Sequence, residues 1–202
     1  MRPDMPALRT ALLAASLACG GVAAEAQTIT SSHTSTAPKD CRRLDTPEDG
    51  GASRLCKGRN DLVVLISEDD LRETVSVGRN RTDAARQPAA DAWFGPFNSS
   101  QTTIEWRSLG GKPFAMIQRW HIADQADRDG KDRPRTRAML VVTRLPPGAV
   151  CHVAYVDAVA NMDANALARQ AADELARGFD CGKDQVRIVG ARGRAVDLAT
   201  AR

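Results

Sequence analysis

The chain has 202 residues, a formal net charge of +3, 43% hydrophobic residues and only 4% aromatic ones. So small a positive balance, with no concentrated basic stripe and no interleaved aromatics, lacks the footprint of nucleic-acid binding and argues for no nucleic-acid partner. The length fits one domain with a leader, and no segment past residue 26 nears 18 apolar residues, so no transmembrane segment is expected there.

Residues 1–26 carry Arg2 and Arg9, an apolar run from Ala11 to Ala24 and an Ala24-Glu25-Ala26 cleavage pattern, the layout of a secretory signal peptide. Cys19 follows Ser16-Leu17-Ala18. A lipobox wants Leu where Ser16 stands, so a lipid anchor at Cys19 is not expected. Removing residues 1–26 takes away two basic and two acidic side chains and leaves the charge at +3. The Ala- and Arg-rich, Lys-poor usage is that of a GC-rich bacterial genome, and the expected location is the periplasm or the outside of the cell.

Residues 27–40 are Ser/Thr-rich and without periodicity, and are predicted to be a disordered leader to a single domain over 41–190. Between Cys41 and Cys56 lies a polar stretch with Pro47 and the Gly50-Gly51 pair, predicted as a stapled loop. The apolar run at 62–66 and the alternating residues 71–78 flank an acidic turn and predict a β-hairpin. Residues 79–91 lack an apolar stripe and predict an exposed loop. The cluster Trp93, Phe94 and Phe97 around Gly95-Pro96 concentrates scarce aromatic area. It is either a plug for one end of the core or an exposed binding surface.

From Thr102 the pattern is an antiparallel meander. Residues 102–108 form one strand, turned at Gly110-Gly111. Residues 113–123 form the next, with Phe114, Met116, Gln118, Trp120 and Ile122 on one face and Ala115, Ile117, Arg119, His121 and Ala123 on the other. Both faces are partly apolar, so a central strand is predicted, covered by helix on one side and loops on the other. A charged loop over 124–136 leads to a third strand at 137–145 and a turn at Pro146-Pro147-Gly148. Residues 150–158 make the fourth strand. A helix follows from Asn161 or Asp163 to Arg177, with Leu167, Ala171 and Leu175 flanked by Ala164, Ala168 and Ala172 on its buried stripe. Residues 186–190 predict a short edge strand, and 191–202 a frayed tail.

The strand at 150–158 spans roughly 26 Å at 3.3 Å per residue, and about 15 helical residues span roughly 22 Å. A helix doubling back over that strand returns Cys181 to the neighbourhood of Cys151. An even set of cysteines in an exported chain favours two disulfides, Cys41 with Cys56 and Cys151 with Cys181. The absence of CxxC or CxxH spacing argues against zinc.

Chemistry is thinly supplied. His121 and His152 lie two strands apart in the meander and could share a sheet face as an acid–base pair, which is the one route to a hydrolase-type enzyme. Asp127 and Asp129 imitate the centre of an EF-hand loop, but Thr136 stands where a bidentate Glu is required and the flanks are strands. No nucleophile motif, phosphate loop or cofactor signature occurs, and no catalytic or metal-ligating set is assigned. The sequence therefore predicts an α+β protein with an antiparallel sheet of about five to six strands, one main C-terminal helix across one face, and disulfide staples. Its expected role is non-enzymatic binding of a protein or other envelope component, with Trp93, Phe94, Phe97, His121 and His152 as candidate contact residues. The alternatives are an enzyme built on the two histidines and a cation-binding module at the loop of Asp127 and Asp129.

Overall fold

The computed structural model describes residues 28–44 and 51–201, so the expected signal peptide, Cys19 and residues 45–50 lie outside the described residues. In chain order come β1 (Ile29–Ser35), β2 (Cys41–Leu44), β3 (Ala52–Lys57), β4 (Val63–Asp69) and β5 (Arg72–Gly78). The short helix α1 (Arg81–Ala85) precedes β6 (Asn98–Leu109), β7 (Lys112–Arg128), β8 (Pro134–Arg144) and β9 (His152–Asp157). Helix α2 (Ala164–Leu175), the two-residue strand β10 (Arg187–Ile188) and helix α3 (Arg194–Thr200) complete the chain.

The strands form two sheets. One has six strands in the order β1-β6-β7-β8-β9-β10, the other four in the order β2-β3-β4-β5. The predicted meander is the centre of the larger sheet, antiparallel from β6 to β9. Each hairpin has the turn its residues allow. Gly110 and Gly111 take φ of 56° and 77°, the conformation that joins two strands without splaying them. Asp70 and Leu71 adopt the same positive φ between β4 and β5 despite having side chains.

Strand β7 is central and covered on both faces. Met116, Trp120 and Ile122 enter a core with Val64 and Ile66 of β4 and Val75 and Val77 of β5. Ala115 and Ile117 enter a second core with Ala164, Ala168, Ala171 and Ala172 of α2. The architecture is therefore three-layered: small sheet, large sheet, helix. Small alanines bring α2 close to the sheet, and its two leucines, Leu167 and Leu175, sit half-buried at the rim. Glu73 of β5 ties the two sheets together: its carboxylate accepts from Ser100 N at 2.7 Å and from Arg54 Nη2 at 2.9 Å.

Both disulfides join the predicted partners. Cys41 and Cys56 face each other across the β2–β3 pairing with Cα atoms 4.2 Å apart, and Cys151 meets Cys181 at 5.9 Å.

Five expectations are corrected. The sheet of five to six strands is, among the described residues, ten strands in two sheets, because 41–44 and 52–57 pair as antiparallel strands and the latter pairs with β4. The cover on the far face of β7 is that second sheet, not loops. Within the predicted leader 27–40, residues 29–35 are edge strand β1, in register with β6 from Ile29↔Leu109 to Ser35↔Thr103. Backbone pairing does not require apolar side chains, and Thr34 Oγ1 further accepts from the buried Trp106 indole at 2.8 Å. Residues 81–85 form α1, whose N-cap Asn80 accepts from Asp83 N, and Ala84 is fully buried. The tail contains α3, with Ala195 and Val196 buried under β7, β8 and β9.

Candidate functional site

The aromatic cluster is divided by the fold. Phe94 is the core plug: it packs edge-on to Trp120 at 5.1 Å and lies near-parallel to the His152 ring at 5.7 Å. Trp93 points outward at 45% exposure, and half-buried Phe97 lies under the Arg72 guanidinium at 4.9 Å. These three rings do not make one contiguous surface.

The histidines are not brought together. His121 is in register with Ala138 on β8 and His152 with Thr143. Five residues of β8 separate those positions, roughly 16 Å along the strand. His152 is buried, shares a 2.9 Å hydrogen bond between Nδ1 and the Tyr155 hydroxyl, and is pushed down to about 4 by burial. The same burial pushes the Tyr155 phenol up. This is a satisfied core histidine. His121 lines a 340 Å³ pocket with Glu68 and Glu73, and burial, then the Arg119 charge, lowers its pKa. Among the described residues no hydrogen bond joins His121 to either carboxylate, and that of Glu73 is already taken by Arg54 and Ser100.

The acidic loop is closed by arginines. Strand β7 runs through Arg128, so the loop is shorter than predicted. Asp127 pairs with Arg135 and Arg137. Asp129 accepts from Lys131 N at 2.8 Å and pairs with Arg133 at 2.8 Å. These contacts neutralise the carboxylates instead of gathering them around a cation, and no metal-holding group of three or more His, Cys, Asp or Glu occurs among the described residues.

A larger concave feature lies elsewhere. A groove of about 870 Å³ is built from five segments: the β3–β4 turn, the residue after β5, the β6–β7 hairpin, the β8–β9 loop and the end of α2. Leu62, Leu109, Phe114 and Leu145 provide an apolar floor. Arg79, Lys112, Arg144 and Arg177 bring four cations to it against the single carboxylate of Asp61. None of the four forms an ion pair among the described residues, whereas Arg54, Arg107, Arg137 and Arg194 each hold a carboxylate. Four like charges without counter-ions among the described residues, beside an apolar wall, focus a positive potential on the groove.

Arg144 is held in place from behind. Its Nη1 donates to Ala149 O at 2.6 Å and its Nη2 to Pro147 O at 2.7 Å. Gly148 lets the loop fold around the guanidinium: its φ is +88°, and a Cβ there would lie 3.0 Å from both Nη atoms. The Pro146–Pro147 bond is cis. Cys181 Sγ lies 3.4 Å from the same Ala149 oxygen, so the Cys151–Cys181 bridge backs the loop. Arg144 Nε is buried without an acceptor among the described residues. The opposite wall is fixed too: Asn60 Nδ2 donates to Gly111 O at 3.2 Å, and Arg177 lies over the Phe114 ring at 5.4 Å.

No family model, curated protein or solved structure matches the chain.

Sequence reasoning did not connect the groove residues, because they are drawn from five segments far apart in the chain. The available signal was Arg144 beside Pro146-Pro147-Gly148, a charged residue against a loop whose glycine the fold needs.

Proposed function

We propose that this is an exported, disulfide-stabilised bacterial protein that acts by binding rather than catalysis, engaging an envelope component through the Arg144 groove. The observation that carries the reading is the set of four cations around an apolar floor, none of them ion-paired among the described residues and one of them fixed by two backbone carbonyls. Like charges gathered around one apolar floor raise the local potential for an anion, and a fixed guanidinium gives that anion a defined seat. Two disulfides favour an oxidising compartment. No described helix is long and apolar enough to cross a membrane. The histidine-based hydrolase loses its support because His121 and His152 are far apart and His152 is committed to the core.

Site-specific photocrosslinking tests the reading. A benzophenone side chain at Asp61, in the groove, captures an envelope component, and one at Ala166, on the exposed face of α2, does not. Charge reversal by Arg79→Glu and Arg177→Glu abolishes the capture. Equal labelling from both positions, or none from Asp61, refutes it.

A further inference from the structure

We infer that the groove's ligand is a single-chain amphiphile with an anionic head, a carboxylate or a phosphate, the head on Arg144 and the apolar chain along the floor. This rests on the binding reading above and adds the chemical class of what is bound. Three observations lead to it. The volume of about 870 Å³ lies within the roughly 300–1,000 Å³ of small-ligand sites, whereas a protein partner needs roughly 800 Å² of surface on each side. Next, strands β6, β7 and β8, which supply Leu109, Phe114, Arg144 and the hairpin wall, are each paired on both sides. No free backbone edge is therefore offered there to an extended peptide, and main-chain pairing is the usual source of affinity for such a segment.

Finally, charge and apolar surface are arranged for one molecule that carries both. The Arg144 guanidinium spends one donor of each Nη on Ala149 and Pro147, which leaves one N–H on each for the oxygens of a carboxylate or phosphate. Leu145, next in the chain, and Phe114 lie beside it, and Leu145 N is tied to Phe114 O at 2.9 Å. Arg79, Lys112 and Arg177 surround this pair and complete the positive field. An inorganic anion would leave the floor wet, and a neutral hydrocarbon would leave four charges unpaired.

The oxidised protein is titrated calorimetrically with laurate, dodecyl phosphate, dodecyltrimethylammonium and inorganic phosphate, all below micelle formation, and with a glutamate-rich peptide. Saturable 1:1 binding of laurate or dodecyl phosphate is expected, and the stronger of those two identifies the head. The alkylammonium and inorganic phosphate should bind at least tenfold more weakly. The triple variant R79Q/K112Q/R177Q, which changes only partly or fully exposed side chains, should keep its melting temperature and lose at least tenfold in affinity. Arg144→Gln should do the same if it folds. Equal binding of alkyl cation and alkyl anion, an unaffected triple variant, or tighter binding of the peptide overturns the inference. If no amphiphile binds while the Asp61 crosslink persists with its charge dependence, the ligand class is wrong and the binding reading stands. If both fail, the groove is not the site.

Discussion

Arg144 donates from Nη1 to the carbonyl oxygen of Ala149 across 2.6 Å, and the same oxygen lies 3.4 Å from Cys181 Sγ. One backbone carbonyl thus links the fixed cation of the groove to the disulfide that clasps α2 against β9. The stability of the fold and the shape of the candidate site are coupled at that atom.

Gly148 is the residue on which this loop depends. An L side chain at φ +88° costs about 1–2 kcal/mol, and here its Cβ would also press on the guanidinium at 3.0 Å. Gly148→Ala should therefore lower the melting temperature by roughly 2–8 °C for a chain of this size. Gly130→Ala, where a Cβ meets nothing within 4 Å, should stay within about 2 °C. Scanning calorimetry of the two variants compares them directly.

The disulfide that closes the longer loop should stabilise slightly more. A sequence separation of 30 for Cys151–Cys181 and 15 for Cys41–Cys56 gives about 3.6 and 3 kcal/mol respectively in the chain-entropy account. Serine pairs at each site, compared by urea unfolding, should show both losses. A loss at Cys151–Cys181 below about 1 kcal/mol would mean that the clasp does not constrain the chain.

Acid should destabilise the protein through His152. Its folded-state value is about 4 against an ordinary 6.5. Between those two, the unfolded chain binds more protons than the folded one, so stability falls as pH drops from about 6.5 towards 4 and is level above that window. The full effect is on the order of 3 kcal/mol, with most of it gone by pH 4.5. Asp124 acts lower. The Arg194 guanidinium holds it down at about 2 against 3.8, so its contribution is complete above 3.8 and is lost only as pH falls through 2. Urea melts at pH 7.5 and 4.5 should separate the native protein from His152→Asn, which should lose clearly less stability across that interval.

Asp157 should prove essential to the C-terminal segment. Its Oδ1 accepts from Val159 N at 2.9 Å and Ala160 N at 2.8 Å, while Oδ2 accepts from Ala195 N, at the start of α3, at 2.9 Å. Asp157→Ala leaves three N–H groups without an acceptor, at about 1 kcal/mol or more each. Hydrogen exchange should show residues 194–200 losing protection well before β7 and β8 do.

The parts of the fold that could be read from the sequence are those in which side-chain pattern determines structure. Strand β7 alternates between two covered faces, α2 carries alanines on one stripe, and the matched lengths of β9 and α2 correctly paired Cys151 with Cys181. What stayed hidden depends on backbone pairing or on distant register. The Ser- and Thr-rich β1 buries little side-chain area and is held by β6, so composition alone suggested disorder. The hairpin of β2 and β3 looked like a polar loop because its partner β4 carries the apolar signal. Strand register, which a sequence does not display, set His121 and His152 apart. The groove draws Leu62, Arg79, Phe114, Arg144 and Arg177 from five segments, and no local pattern connects them.

Backbone amide mapping of the oxidised protein by two-dimensional NMR, during titration with laurate or dodecyl phosphate, tests the central claim most directly. The groove account predicts saturable shifts at Leu62, Lys112, Phe114, Leu145, Gly148 and Arg177, with Trp93, Phe97 and His121 unmoved. Shifts centred on Trp93 and Phe97, or on the His121 pocket, with the groove residues unmoved, would contradict it.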